Sequence, residues 1–236
     1  MLELFQKTKI LVVVAHPDDE VLGIGATIHR LSTEYESDIR VVILGEGLTS
    51  RADKRDTEKW KKELEKHKEN IFAAKDILRY GSIGIYHFPD NRFDAVELLD
   101  IVKVVEKEKQ IFVPDIIFTH HYGDLNIDHR RTFEAVITAT RPMKHENVKA
   151  VVCFETPSAT EWNYGGDSYF VPNFWIEIGE EDLKAKQIAM DAYEFESRKY
   201  PHPRSAKALK ALAQKRGVEA GMSLAEAFFI ARYNFK

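Results

Sequence analysis

Residues 10–20, Ile-Leu-Val-Val-Val-Ala-His-Pro-Asp-Asp-Glu, run from an uninterrupted apolar segment directly into one imidazole and three carboxylates. A continuous Val, Ile and Leu run is typical of a central parallel strand that is buried on both faces. Ligands of open α/β sheets bind just beyond the carboxyl ends of such strands. The segment therefore predicts a parallel sheet with a functional site at its edge, beside His16 and the acids.

Part of this segment has a purely structural explanation. Pro17 suits the first position of a helix, and acids at 18–20 favour the positive end of the helix dipole. A helix start does not explain His16, however. His and Asp together form a ligand set suited to zinc or another divalent ion. Both interpretations, a helix start alone or a helix start with a metal site, are open from this segment.

A second polar cluster, residues 119–130, follows the apolar run 114–118 and leads into a helical pattern that reaches Thr140. Both clusters follow predicted strands, and the carboxyl ends of parallel strands open onto the same edge of a sheet. His16 and His129 are therefore expected to meet there. The alternative is that His129 is a solvated residue in the first turn of a helix.

Strand and helix patterns alternate along the chain. Apolar runs predict strands at 10–15, 39–44, 83–88, 115–119 and 149–154. Amphipathic stripes predict one helix from Trp60 to Leu78 and another at 95–109, which Asp94 and Glu97 would cap, and helices are expected after Ser205. This alternation predicts an α/β, Rossmann-like fold, a mostly parallel sheet with helices on both faces. We expect residues 1–236 to form a single domain.

Composition excludes several classes of protein. The 236 residues contain 34 Lys and Arg against 38 Asp and Glu, a formal charge of −4, so nothing indicates a nucleic-acid partner. The single Cys153 lies in an apolar strand pattern and is expected to be a buried thiol, which fits a reducing cytoplasm. No stretch approaches the roughly 18 apolar residues of a membrane span, and no secretory signal opens the chain. We expect a soluble, cytoplasmic protein.

Residues 15–20, Ala-His-Pro-Asp-Asp-Glu, resemble the opening motif of the LmbE-like, or PIG-L, zinc deacetylases. That family removes N-acetyl groups, mostly from glucosamine-containing sugars. Residues 128–130, Asp-His-Arg, resemble its second motif, and residues 225–228 resemble a segment near the end of many members. The resemblance spans nearly the whole chain.

The resemblance implies hydrolysis of an N-acetyl group by metal-activated water, with an N-acetylglucosamine-type sugar or conjugate as substrate. It implies His16, Asp19 and His129 as ligands of Zn²⁺ or another divalent ion, and Asp18 as the general base. Asp128 of the second motif is counted among the catalytic residues. Two imidazoles and one carboxylate leave coordination positions open, as a catalytic zinc requires. We also expect a homo-oligomer.

One position departs from the family pattern. Many members carry a histidine three residues before the last ligand, and this chain has Asn126 there. An amide can donate a hydrogen bond to an oxyanion but cannot deliver a proton at neutral pH. Asp18 is therefore expected to act twice, first as base and then as acid to the leaving amine. His121 is the alternative acid, and His120 and Tyr122 are further candidates.

Substrate contacts are predicted from polar residues that follow strands on the same edge of the sheet. Arg51, Asp90 and Arg92 are suited to bind sugar hydroxyls or a phosphate. Residues 157–173 form a long irregular stretch rich in Gly, Pro and aromatic residues. Loops of this length are usually functional or mobile, and the aromatic side chains are suited to stack on a sugar.

Two rival functions also use the metal ligands. His16 and Asp18 with a distant His129 fit the two-His, one-carboxylate triad of non-haem iron oxygenases. Those enzymes are commonly built on antiparallel β-barrels, which the alternating pattern does not predict. A non-catalytic metal-containing binding module is the second rival, and Asn126 in place of the usual histidine favours it.

A third rival is a dinucleotide-binding oxidoreductase domain. Gly23 and Gly25 follow the first strand, and Glu46 lies where a ribose-binding acid belongs. Ile28 occupies the place of the third glycine, so the fingerprint is incomplete. The two glycines are better explained by close packing of a helix against the sheet.

Overall fold

Strands and helices alternate along the chain, of which the computed structural model describes residues 5–165 and 168–234. The strands are β1 (Lys9–Val14), β2 (Asp38–Gly45), β3 (Ser82–Phe88), β4 (Ile116–His120), β5 (Ala150–Phe154), β6 (Phe174–Glu177) and β7 (Ala225–Tyr233). The helices are α1 (Asp19–Glu34), α2 (Lys61–Leu78), α3 (Leu98–Phe112), α4 (Ile127–Ala139), α5 (Glu180–Ala192) and α6 (Ala206–Glu219). The strands form one seven-stranded sheet in the order β3-β2-β1-β4-β5-β7-β6.

Strand β1 runs through the centre of the sheet because both of its faces are apolar. Ile10, Val12 and Val14 point into one core layer, which α1, α2 and α5 cover. Leu11 and Val13 point into the opposite layer, which α3 and α4 cover. Strands β1 to β5 pair in parallel. The predicted α/β fold, a mostly parallel sheet with helices on both faces, is confirmed.

The C-terminal part differs from the prediction. Only α6 follows Ser205 within the described residues, and the next element is the strand β7. It lies between β5 and β6 and is antiparallel to both. The expectation of further helices was wrong because a short apolar run of Ala, Phe and Ile has no period that separates strand from helix.

Helix α3 begins three residues later than the predicted 95. Asp94 lies in a short 3₁₀ helix, Phe93–Ala95, and Glu97 occupies the position before α3 without a capping bond from its side chain. The predicted capping pair is therefore wrong. The reason lies in Phe93, which is fully buried and donates its backbone N–H to Asp128 Oδ1 at 2.9 Å. This contact holds the chain in a separate turn before the helix can start.

Two expectations about apolar segments can be compared with the structure. Cys153 on β5 is buried, as predicted for a strand thiol, and burial raises the pKa of its thiol. Among the helices in the described part of the chain, none has the length and apolar character to cross a membrane.

Gly23 allows α1 to approach β5 closely. A Cβ atom at this position would lie 2.2 Å from Cδ2 of Phe154. Gly25 lies two residues further along α1, where an added Cβ would lie 3.3 Å from Cγ of Lys186. Gly23 thus allows a helix to pack against the sheet, as expected, whereas Gly25 allows α1 to pack against α5. Neither glycine needs a nucleotide to explain it.

We expect Gly23→Ala to destabilise the fold by about 1–3 kcal/mol, because the added methyl group overpacks the contact with Phe154. A loss of stability would be informative, because replacing glycine by alanine inside a helix ordinarily stabilises the helix by about 1 kcal/mol. Urea unfolding monitored by circular dichroism measures the change. Gly165→Ala is the control, because nothing lies within 4 Å of a Cβ there. Equal unfolding midpoints for the two variants would contradict the packing argument.

The strand order reverses its direction of growth between β1 and β4, which are neighbours in the sheet. In open α/β sheets the crevice at such a switch point, beyond the carboxyl ends of the strands, is where ligands bind. The segment after β1 carries His16, and the segment after β4 leads to His129. The fold thus brings the two polar clusters of the sequence to one crevice.

Candidate metal centre and active site

The three predicted metal ligands converge in this crevice. His16, Asp19 and His129 are buried, and each offers one ligand atom within 4.8 Å of the others. Asp19 Oδ2 lies 3.4 Å from His16 Nδ1 and 3.4 Å from His129 Nε2. Ligands bound about 2.0–2.1 Å from a tetrahedral zinc ion are about 3.4 Å apart. The spacing suits an ion of that size.

A second carboxylate orients each imidazole of this cluster. His16 Nε2 lies 2.9 Å from Asp128 Oδ2, and His129 Nδ1 lies 3.2 Å from Asp124 Oδ1. A carboxylate on the outer ring nitrogen fixes the tautomer and leaves the inner nitrogen free to bind a cation. No role is predicted for Asp124 from the sequence. Its position in the second polar cluster, five residues before His129, is the signal that could have identified it as the carboxylate partner of that imidazole.

The charges of the cluster favour a cation at its centre. Burial lowers the pKa of His129, but Asp19 and Asp124 outweigh it and raise that pKa to about 9. Burial also lowers the pKa of His16. The hydrogen bond to Asp128 and the neighbouring Asp19 outweigh burial and raise that pKa well above its usual value. The carboxylates thus draw protons onto both imidazoles. A divalent cation satisfies the same excess of negative charge and displaces those protons.

A second grouping of possible ligands uses the other nitrogen of His16, with Asp90 and Asp128. The oxygens of these carboxylates already accept hydrogen bonds. Asp90 accepts from the Asn91 side chain at 3.0 Å and from the Ser50 backbone N–H at 3.0 Å. Asp128 Oδ2 pairs with His16 at 2.9 Å. Asp19 Oδ2 also accepts a hydrogen bond, from the His16 backbone N–H at 2.8 Å. The grouping of His16, Asp19 and His129 is the better cation site because it holds two imidazoles and one carboxylate, a common ligand set of catalytic zinc.

Asp18 lies beside the ligand cluster and lines the cavity above it. Its backbone has φ 99°, a left-handed conformation that a residue other than glycine adopts at a cost and that is frequent at functional sites. Its Oδ2 accepts a hydrogen bond from Arg204 Nη1 at 2.8 Å. Burial raises the pKa of Asp18 well above its usual range, and the Arg204 guanidinium opposes that rise. A carboxylate poised in this way is suited to exchange a proton.

The cavity has a volume of about 520 Å³, and three more of the predicted site residues line it, namely Arg51, Asp90 and Asn126. Asn126 also caps α4, since its Oδ1 accepts the backbone N–H of Asp128 at 2.8 Å. Its amide nitrogen donates to Asn91 Oδ1 at 2.9 Å. The departure from the usual histidine thus places a helix cap at the wall of the cavity.

Three predicted site residues lie outside the lining of this cavity. Asp128 is one of them, although it contacts the ligand cluster through His16 Nε2 at 2.9 Å. Arg92 is half-exposed in front of the 3₁₀ helix 93–95. His121 is buried, accepts the backbone N–H of Gly123 at 3.1 Å, and packs its ring edge-on against Phe170. The structure therefore does not bring the side chains of Arg92 and His121 together with the ligand cluster.

His120, a further candidate acid, is buried against the cluster with its ring stacked 3.9 Å from that of His129. Its Nε2 accepts the backbone N–H of Ala15 at 3.0 Å, so that lone pair is already used. Burial lowers the pKa of His120 to about 4, which keeps the ring neutral. Tyr122, the last candidate, is 39% exposed at the surface.

Sequence reasoning missed two residues at the rim of the cavity. Arg204 binds Asp18, and its Nη1 also donates to Glu196 Oε2 at 2.6 Å. Both lie between α5 and α6, far from either motif in the sequence. The long loop 157–173 contributes Trp162 to the lining, and Gly166 and Asp167 of that loop lie outside the described residues.

The structure also bears on the residues that suggested a nucleotide. The Glu46 carboxylate accepts two hydrogen bonds from Arg55, at 2.8 and 2.9 Å, and one from Thr49 at 2.7 Å. A ribose-binding acid needs free oxygens for the sugar hydroxyls, and these are occupied. The mostly parallel α/β sheet agrees with the expectation that this chain does not form the antiparallel β-barrel on which non-haem iron oxygenases are commonly built.

Comparison with known proteins gives one relative and two solved structures of interest. The uncharacterized deacetylase YaiS of Escherichia coli K12 is 27% identical over 186 residues, which cover 77% of this chain and 88% of the relative. N,N′-diacetylchitobiose deacetylase from Pyrococcus horikoshii has a TM-score of 0.71 at 18% identity, covering 98% of this chain and 86% of its own. The 4-carboxy-2-hydroxymuconate hydratase GalB from Pseudomonas putida KT2440 has a TM-score of 0.72 at 19% identity, covering 97% and 98%.

The two structural likenesses show a shared fold, which one protein uses for deacetylation and another for hydration. The family assignment rests on a different comparison. A family model described as GlcNAc-PI de-N-acetylase matches residues 11–140, more than half of the chain, and this span contains both polar clusters and all three candidate ligands. As the resemblance of its motifs indicated, the chain belongs to the PIG-L, or LmbE-like, family of deacetylases.

Proposed function

We propose that this protein is a metal-dependent hydrolase that removes the N-acetyl group from an N-acetylglucosamine-type sugar or conjugate. One observation carries the proposal: three buried ligands converge at the floor of an open cavity, with Asp18 beside them and free of the ligand set. The chitobiose deacetylase of the same fold supports a sugar substrate. Zinc is the expected ion because two imidazoles and one carboxylate are common ligands of catalytic zinc.

His16, Asp19 and His129 would hold the cation, and Asp128 and Asp124 would keep the two imidazoles in place. A divalent cation bound there supplies Lewis acidity, which makes water a stronger acid and an amide carbonyl a better electrophile. With three protein ligands, such an ion would keep coordination positions for water and substrate, and the three ligand residues line the cavity that substrate would enter.

Asp18 carries the proton through the reaction. It accepts a proton from water as the water oxygen bonds to the acetyl carbon. The carbon–nitrogen bond then breaks, and Asp18 returns the proton to the leaving amine, so that one water is consumed and acetate and an amine are released. Arg204 holds Oδ2 of Asp18 at 2.8 Å, which orients the carboxylate and leaves Oδ1 to exchange the proton.

Asp18 is the preferred acid for the amine because His121 is packed outside the cavity lining. Asn126 takes a supporting role in this scheme. One hydrogen of its amide binds Asn91, and the second is free to donate to the carbonyl oxygen as negative charge develops there.

Amine release from a panel of N-acetyl sugars tests the proposal. The protein is stripped of metal, reloaded with zinc, cobalt or iron, and given N-acetylglucosamine, N,N′-diacetylchitobiose and larger conjugates. We expect amine release that depends on the added ion. Metal-loaded protein that releases amine from none of them would overturn the proposal, and hydration of an unsaturated acid would then assign it a chemistry like that of the hydratase.

We expect Asp124→Asn to weaken metal binding by about 10- to 100-fold without removing a ligand, because His129 loses the carboxylate that orients its ring. Competition with a chromogenic chelator measures the affinity. Asp115→Asn is the matched control, since Asp115 precedes β4 at the opposite edge of the sheet and pairs with Lys149 at 2.8 Å. Unchanged affinity in Asp124→Asn, or an equal loss in both variants, would contradict this role.

A further inference from the structure

The two arginines that line the cavity are both paired to a single carboxylate. Glu196 Oε2 accepts from Arg204 Nη1 at 2.6 Å, and Glu196 Oε1 accepts from Arg51 Nη2. The Arg204 and Glu196 side chains are 24% and 13% exposed, so their pair is largely shielded from solvent, whereas Arg51 is 37% exposed. Arg51 also donates to the backbone carbonyl of Phe195 at 3.1 Å, and Arg204 also donates to Asp18 and, through Nε, to Ser158 Oγ at 2.8 Å.

This pairing opposes the binding of a phosphate. Arginine captures phosphate by presenting free, parallel N–H groups, and here Nη2 of Arg51 and Nη1 of Arg204 are directed at Glu196 instead. Among the described residues that line the cavity, Arg51 and Arg204 are the cationic side chains other than histidine. Asp18, Asp19 and Asp90 line the same cavity and add negative charge beside the arginines. An entering phosphate would have to compete with Glu196 for the two guanidinium groups.

The remaining polar groups of the lining suit an uncharged polyol. Ser50, Asn91 and Asn126 form a chain of neutral hydrogen bonds along the wall, Asn126 to Asn91 at 2.9 Å and Asn91 to Ser50 at 3.1 Å, and their hydroxyl and amide groups can both donate to and accept from a further hydroxyl. Trp162, 36% exposed, adds an aromatic surface at the same wall. Neutral donors and acceptors combined with an aromatic face recognise sugar hydroxyls and ring carbons without requiring charge.

We propose that Glu196 makes this cavity selective for uncharged N-acetyl sugars over sugars that carry a phosphate. The inference rests on the proposed deacetylase function and names its substrate class as neutral saccharides. Glu196 acts as a specificity determinant, because its carboxylate pairs with the two guanidinium groups that would otherwise bind a sugar phosphate or a phosphodiester conjugate.

The test compares N-acetylglucosamine with its 1-phosphate and 6-phosphate on the zinc-loaded full chain. We expect wild-type kcat/KM to be higher for the neutral sugar by about 10-fold or more. Glu196→Gln should shift the ratio of kcat/KM values toward the phosphorylated sugars by about 10- to 100-fold, the scale of one charge-assisted hydrogen bond gained. The two kcat/KM values are compared within each variant. An effect of the Glu196 substitution on Asp18, through Arg204, changes both values alike and cancels in their ratio.

Two other variants sharpen the result. Glu108→Gln is the matched control, because Glu108 is also buried and bound to an arginine, Arg40, at 2.7 Å, but lies away from the cavity lining. It should leave the ratio unchanged. Arg51→Gln should also leave the ratio nearly unchanged, since Glu196 already balances the charge of Arg51. A selective loss of phosphorylated substrates in Arg51→Gln would show that Arg51 binds phosphate, and would overturn the proposal.

Binding measurements separate this inference from the proposed function. Calorimetry with glucosamine and glucosamine 6-phosphate, the deacetylated counterparts, reports charge selectivity without turnover. Weaker binding of the phosphate ester to the wild type, reversed in Glu196→Gln, supports the inference even if no sugar is deacetylated. Tighter binding of the phosphate ester to the wild type, or an unchanged preference in Glu196→Gln, overturns it even if deacetylation is observed.

Discussion

His129→Ala is expected to lose the bound cation and to lower turnover by about 10³-fold or more, since the Lewis acidity that activates water is lost with it. The variant removes one of three ligands and leaves the buried Asp124 without its imidazole partner. Metal content by atomic emission and the rate of amine release, measured on the same sample, check both parts of the expectation.

His87→Ala is the control for this variant. His87 is an exposed histidine on β3 of the same sheet, so its removal should change neither the metal content nor the rate. Stoichiometric metal in purified His129→Ala would contradict the assignment of His129 as a ligand. An unchanged rate in metal-free protein would contradict the metal-dependent scheme as a whole.

The centre of the fold could be predicted from the sequence because β1 carries apolar residues on both faces. A strand that carries apolar residues on both faces needs a helical layer on each side, and the polar cluster at residues 16–20 marks where the chain leaves the sheet. The apolar run of β4 and the polar cluster that leads to His129 support the same prediction for that strand. Parallel strands open onto one edge, so the meeting of two distant clusters follows from topology without knowledge of any side-chain contact.

The edge of the sheet could not be predicted in the same way. Strand β7 pairs with β5 and β6 in antiparallel fashion, and its burial changes along its length from buried at Ala225 to exposed at Tyr233. Such a strand has a short apolar run at residues 227–231 but no regular alternation along its length. Its place is decided by contacts with residues far away in the sequence, which local periodicity does not contain.

Asn126 has a structural role that its sequence position could have indicated. Against the family pattern it stands in place of a histidine, whereas in the structure it is the N-cap of α4. Asparagine is among the preferred residues at that position, so the pattern of Asn126 before a helix has a structural cause of its own. Arg204 and Glu196 gave no comparable signal, because their approach to Asp18 depends on how the segment between α5 and α6 crosses the cavity.

Asp18→Asn is expected to keep the metal and to lose about 10² to 10⁴ in turnover, because an amide can neither accept the proton of water nor return it to the amine. The amide oxygen can still accept the hydrogen bond from Arg204, so the geometry around the ligands is preserved. Metal content and kcat, measured together, separate a lost base from a lost ligand. If the variant instead loses metal with little change in rate per bound ion, Asp18 is a ligand and the roles of Asp18 and Asp19 are exchanged.

Glu20→Gln is the matched control for this prediction, because Glu20 is the next carboxylate but one in the same buried segment. Its Oε1 accepts the Tyr193 hydroxyl at 2.7 Å, outside the lining of the cavity. Burial raises the pKa of Glu20 to about 7, so a neutral amide resembles a form that this side chain already adopts near neutral pH. Turnover in Glu20→Gln should therefore stay within about 10-fold of the wild type. A loss as large as that of Asp18→Asn would mean that buried charge in this segment, and not proton transfer by Asp18, sets the rate.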